Sequence, residues 1–143
     1  MNPLLSLADY EQFIYTLLQQ FPSIRRSTLT VIRRGVHVVR VIGNVEFDDG
    51  YRLNVREKIA FDNGPGVVED YGYEVWREAE LLFWYDSQPH PDNPALASTH
   101  PHHKHTPPDI KHNRIPASGL SLVQPNIPAL VLEVEALIVG TRP

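Results

Sequence analysis

Apolar residues recur along this chain at two periods, and the switch between them divides it. In SLADYEQFIYTLLQQF, Leu7, Tyr10, Phe13, Ile14, Leu17, Leu18 and Phe21 fall at the 3.6-residue spacing of an amphipathic helix. Ser6 or Asp9 can cap its start, and Pro22 stops it, because proline has no amide hydrogen to donate. The period then drops to two. Segments Thr28–Arg33, Val36–Phe47, Tyr51–Phe61, Val67–Trp76 and Leu81–Tyr85 read as strands, separated by turns at Arg34-Gly35, DDG, DNGPG and a tight polar turn. Connections this short make hairpins, hence an antiparallel meander of about five strands. Helical spacing returns in PNIPALVLEVEALIVG, with Ile127, Leu130, Val131, Val134, Leu137 and Ile138 on one face, Asn126 as N-cap and Gly140 as the stop. The pattern predicts an α+β fold in one domain over residues 1–143: an N-terminal helix, the meander, a long Pro/His-rich loop, and a C-terminal helix covering one sheet face.

One strand breaks its own pattern. Tyr51, Leu53, Val55, Ile59 and Phe61 share a face, and Glu57 falls in the same row. A carboxylate on an apolar face needs a partner: an arginine from a neighbouring strand, a register shifted by a bulge, or a role as a partly buried acid that transfers a proton or holds a catalytic base. Tyr71 and Tyr73 share a face of the next strand, as core rings with hydroxyls at the rim or as part of a site.

Nine of the thirteen prolines lie between Pro89 and Pro128, which argues against regular helix or central strand there. A structureless stretch of roughly 40 residues is uncommon in a compact domain, and an ordered one usually carries function. This one is rich in His, Pro and Asn, with Leu96, Ile110, Ile115, Leu120 and Leu122 spaced as anchors, so an ordered loop is expected.

Composition narrows the classes. A chain of 143 residues with 42% hydrophobic content buries one ordinary core. No cysteine is present, which excludes disulfides, thiolate metal sites and cysteine nucleophiles. No apolar run approaches the roughly 18 residues of a membrane span, and MNPLLSLADYEQ lacks the features of a secretory signal. A cytoplasmic protein with no membrane partner is expected. The net charge of -4 argues against non-specific coating of nucleic acid. Even so, residues 21–45 hold Arg25, Arg26, Arg33, Arg34 and Arg40 and no carboxylate. Arg25, Arg33 and Arg40 are candidates for contacts to flanking phosphates, with plain solvated charge as the alternative.

The chemistry concentrates in HPHHKHTPPDIKH, His100–His112, which holds five of the seven histidines and two of the three lysines. A metal site would use His100, His102 and His105 with Asp86 or Asp109, though no helical HExxH pair preorganises it. A solvated tail would use them for nothing. Metal-free cleavage of RNA needs a base for the 2′-hydroxyl, an acid for the leaving 5′-oxygen and a cation on the phosphate. Imidazole suits the first two roles, and Lys104, between His103 and His105, suits the third.

VEDYGYEVWREAELLFWYDSQPH followed by HPHHKH resembles the TumE-type toxins of bacterial toxin–antitoxin modules, which share a Tyr-x-Tyr strand, a hairpin ending in an aromatic-Asp step, a Pro-His and a Pro-His-His-Lys-His. Here these are Tyr71 and Tyr73, Tyr85-Asp86, Pro89-His90 and Pro101 to His105, within a resemblance running from Tyr51 to about Ile138. The spacer PDNPALASTH is longer than usual, and Glu74 stands where relatives carry another polar residue or histidine. The resemblance implies a small α+β ribonuclease paired with a helix-turn-helix antitoxin and related to CRISPR-associated nucleases that cut cyclic oligonucleotides; with the imidazole chemistry it is read as needing no metal or cofactor, and a homodimer is admitted. His103 and His105 would then be base and acid, with Lys104 on the phosphate, His90 as the alternative acid and Asp86 fixing one imidazole. Tyr73 and Glu57 would line the floor, with Tyr71 and His102 beside the substrate. Alternatives are a phosphodiesterase for cyclic oligonucleotides (a ring nuclease), a metal-dependent hydrolase on the same histidines, and a non-catalytic binding module.

Overall fold

The computed structural model of the chain describes residues 2–62, 64–87, 102–107 and 119–143, and the backbone of 114–116. Ser6 accepts a hydrogen bond from the Asp9 amide at 3.1 Å and opens helix α1 (Leu7–Tyr15). The apolar stripe continues but the helix does not. Thr16 leaves helical geometry while its hydroxyl donates to the Gln12 carbonyl at 2.6 Å, and a short helix α2 (Leu17–Gln20) follows. Tyr10, Phe13, Ile14 and Leu17 are buried.

The meander forms with the predicted hairpins. Strand β3 (Val38–Glu46) pairs with β4 (Tyr51–Ala60), β4 with β5 (Val67–Arg77) and β5 with β6 (Glu80–Asp86), all antiparallel. The strand expected at Thr28–Arg33 is instead two, β1 (Arg26–Ser27) and β2 (Thr30–Arg33), both paired with β3. Between them Thr28 crosses close over Gly43, where an added Cβ would lie 2.6 Å from the Thr28 carbonyl oxygen. Only a glycine, here at φ +139, lets the two backbones approach so closely.

The histidine segment departs from the loop expected there. His103–His105 forms strand β7, inside the sheet between β6 and β8 (Arg114–Pro116). Proline density excludes long strands, but the three residues of β7 contain none, so each keeps its amide for the ladder. Leu120 and Leu122 pack against the core as anchors, and the Leu122 carbonyl accepts from the Val68 amide at 2.8 Å.

Helix α3 (Ile127–Thr141) buries Ile127, Leu130, Val131, Val134 and Ile138 and continues past Gly140 by one residue. Burial of each such aliphatic side chain contributes about 1.5–3 kcal/mol. Asn126 does not cap it with its side chain; Nδ2 turns inward and donates to the Tyr73 hydroxyl at 3.2 Å and the Ser121 carbonyl at 2.9 Å. Helices α1 and α3 contribute to one core with Val41, Leu53, Val55, Tyr71, Tyr73 and Val75 of one sheet face. Among the described residues no helix is long and apolar enough to cross a membrane.

Candidate functional site

Successive strand residues point to opposite faces, so register decides which side chains meet. On the face turned away from α1 and α3, two cross-strand rows run side by side. In one, Arg56 stands opposite Gly72, Gly72 opposite Asp86, and Asp86 opposite His103. In the other, Asn54 stands opposite Glu74, Glu74 opposite Trp84, and Trp84 opposite His105. Each row reaches a histidine of β7 and continues into β8, to Pro116 and Arg114 respectively.

At β7 the side chains converge on one carboxylate. His103 Nε2 meets Asp86 Oδ1, and His105 Nε2 lies 3.2 Å from Asp86 Oδ2. The two imidazole rings stand edge to face at 5.2 Å, and His105 meets the Trp84 ring edge-on at 4.7 Å. The imidazoles are 2% and 3% exposed and the Asp86 side chain 21%, with its Oδ1 buried. One ligand atom from each of the three residues lies within 4.8 Å of the others, which makes them the group able to hold a metal ion among the described residues.

Beside the cluster is a cavity of about 160 Å³ lined by Asn54, Arg56, Gly72, Glu74, Trp84 and Asp86, among others. Gly72 creates its room. A Cβ there would lie 2.5 Å from an Arg56 guanidinium nitrogen, so the guanidinium rests where a side chain would otherwise be.

Strand alternation separates what the sequence sets side by side. Lys104 points to the helix face, where Nζ lies 3.4 Å from Glu133 Oε2, 4.0 Å from the Phe83 ring centre and 5.2 Å from that of Tyr85. His102 is on that face too, sharing a 2.6 Å hydrogen bond through Nδ1 with the Tyr71 hydroxyl and stacking on its ring. Burial, with the Asp86 charge nearby, pushes the Tyr71 hydroxyl well above the usual phenol range.

Glu57 lies in the core beneath the site. Its partners are tyrosines rather than an arginine: the Tyr10 hydroxyl donates to Oε1 at 2.5 Å, and the Tyr73 hydroxyl donates to Oε2. Burial raises the Glu57 carboxyl above its ordinary value, and the two donated hydrogen bonds oppose that rise. Burial and the neighbouring Glu57 charge push both tyrosines well above theirs. The β4–β5 register does shift just after it, between Lys58 and Ile59, without moving Glu57 off the buried face.

The arginines are spread toward the opposite edge of the sheet. Arg25 pairs through two hydrogen bonds with Asp48 at 2.7 and 2.9 Å, Arg33 pairs with Glu11 at 2.7 Å, and Arg40 stands on β3 opposite Lys58. Strands β4 and β5 separate all three from β6 and β7. His90, and the alternative ligands His100 and Asp109, lie outside the described residues.

Residues 14–138 match the family model described as toxin TumE. The chain belongs to the TumE toxin family. No curated protein and no solved structure matches it. As a TumE toxin it is the toxin of a toxin–antitoxin system and has an antitoxin partner. In this TumE chain the residues that sequence reasoning passed over are Arg56, Trp84 and, as a site residue, Glu74. Two signals pointed to Arg56. Placing Glu57 inward places Arg56 outward, and a glycine within a strand marks a close approach.

Proposed function

We propose that this toxin is a metal-independent ribonuclease acting through Asp86, His103 and His105. The observation that carries the reading is one partly exposed carboxylate holding an imidazole on each oxygen, in a strand row that also presents Arg56. One imidazole, neutral, takes the proton of the 2′-hydroxyl; the other, protonated, gives one to the departing 5′-oxygen. Asp86 orients both rings through Nε2. The 2′-oxygen forms a bond to phosphorus as the bond to the 5′-oxygen breaks, leaving a 2′,3′-cyclic phosphate and a 5′-hydroxyl. The cation for the phosphate is read as Arg56, because Lys104 occupies the other face. Linear RNA and cyclic oligonucleotides both carry the required 2′-hydroxyl. On the resemblance alone, the antitoxin is read as a helix-turn-helix protein.

The convergence of three ligand atoms favours a second reading, a metal-dependent hydrolase, since two imidazoles and a carboxylate suit a divalent transition metal. One experiment separates the two: end-labelled RNA incubated with the purified chain, with and without EDTA, and its products' ends analysed. Cyclic or 3′-phosphate ends unaffected by EDTA support acid–base cleavage. Activity abolished by EDTA and restored by a divalent metal supports the second, and rapid cutting of an all-deoxy substrate overturns the first.

A further inference from the structure

We infer that the cavity beside the histidine cluster is a guanine-nucleotide subsite, with Glu74 as the group that selects the base; as to which bond is cut, this rests on the ribonuclease reading. The cavity sits over two rows that lead to the cluster, so a nucleotide in it places its phosphate near Asp86 and His103. Its walls divide by chemistry. The Gly72–Asp86 side carries the Arg56 guanidinium, whose fork of donors matches phosphate oxygens. The other side carries the Trp84 ring, the Asn54 amide and the Glu74 carboxylate.

Glu74 is held in place for recognition. Its Oε1 accepts from Trp76 Nε1 at 3.2 Å, and the Trp76 ring is in turn covered by the Arg52 guanidinium at 5.0 Å. The Trp76 indole is a neutral donor, so acceptor capacity and charge remain for a ligand. A carboxylate only accepts. Guanine meets it with two adjacent donors, N1–H and the N2 amino group. Adenine and cytosine offer one amino group beside an unprotonated ring nitrogen, and uracil offers one N–H flanked by two carbonyl oxygens that the charge repels. Trp84, which lines the cavity, also holds a buried Nε1–H with no hydrogen-bond partner among the described residues, a donor that a small shift of the ring would offer to an acceptor such as guanine O6. The indole ring is the kind of surface on which a base stacks.

The test is calorimetric titration of the purified full chain with guanosine 3′-monophosphate and with uridine 3′-monophosphate, repeated on Glu74→Gln and Trp84→Phe. Thermal melts confirm that each variant is folded. Cut sites are mapped in parallel on an RNA containing all four bases. The expected result is guanosine binding at least about tenfold tighter than uridine, as a bidentate contact provides, with the preference largely lost in Glu74→Gln and reduced in Trp84→Phe. Cuts should fall on the 3′ side of guanosines. Equal binding of the two nucleotides, no binding of either, or an undiminished preference in folded Glu74→Gln overturns the inference. RNA cut without base preference removes the subsite and leaves the ribonuclease reading standing. Glu74-dependent guanosine binding with no RNA cleavage supports the subsite and removes the ribonuclease.

Discussion

The substitution Gly72→Ala displaces Arg56 without replacing a charged residue. A Cβ at position 72 would lie 2.5 Å from one guanidinium nitrogen of Arg56, 2.8 Å from its central carbon and 3.1 Å from the other nitrogen. Ordinary contact begins near 3.4 Å, so the guanidinium must withdraw by roughly 1 Å, a displacement that can cost about 10²-fold when a charge must meet the transition state. The fold should not suffer. The nearest atoms are the end of a flexible side chain, Gly72 does not have positive φ, and alanine restricts the unfolded chain, so stability should hold or rise by up to about 1 kcal/mol. Turnover on labelled RNA should therefore fall about 10²-fold while the melting temperature stays level or rises by about 3 °C. Repeating the substitution in Arg56→Ala completes a double-mutant cycle, in which alanine at 72 should cost almost nothing further. Unchanged turnover in Gly72→Ala, or an equal loss in the Arg56→Ala background, would refute the argument that this glycine serves the arginine.

Three other outcomes follow from the same geometry. His103→Ala should lower turnover by on the order of 10²-fold or more, and the wild-type pH–rate profile should be bell-shaped near neutrality in EDTA; a rate that climbs through high pH would point away from paired imidazoles. Lys104→Ala should cost about 1 kcal/mol in a thermal melt, through lost contacts to Glu133 and Phe83, and leave turnover within about threefold; a large kinetic loss in a folded variant would return the lysine to the chemistry. Tyr73→Phe removes a hydrogen bond that holds the Glu57 carboxyl down, so the folded-state value rises further above the ordinary 4.5. A raised carboxyl favours the folded state when protonated and loses that advantage as pH climbs through the folded value, so the variant's deficit, which at low pH reflects the lost bond from Asn126, should widen by about 1.5–3 kcal/mol as pH rises past the wild-type folded value, in melts recorded across pH. A deficit independent of pH would mean that Glu57 stays protonated throughout.

Periodicity in the sequence determined the elements and their faces. The stripe from Leu7 to Phe21, the alternation around Val55 and the spacing from Ile127 to Ile138 each specify a face that water rejects, and a hairpin meander joins neighbouring strands through local turns. The same alternation exposed Glu57 as a buried charge, and the family signature drew attention to Asp86 and the β7 histidines. Tertiary structure decided the rest, because those outcomes depend on residues distant in the chain. That Glu57 is held by Tyr10 and Tyr73 depends on how α1 crosses the sheet, 47 residues from Glu57 in sequence. That His103–His105 is a strand depends on pairing with the edge of β6 on one side and with Arg114–Pro116 on the other. Joining that ladder imposed alternation on three consecutive residues. It sent His103 and His105 to Asp86 and Lys104 to Glu133, and left Arg56, from a strand two places away, as the cation that lines the cavity among the described residues.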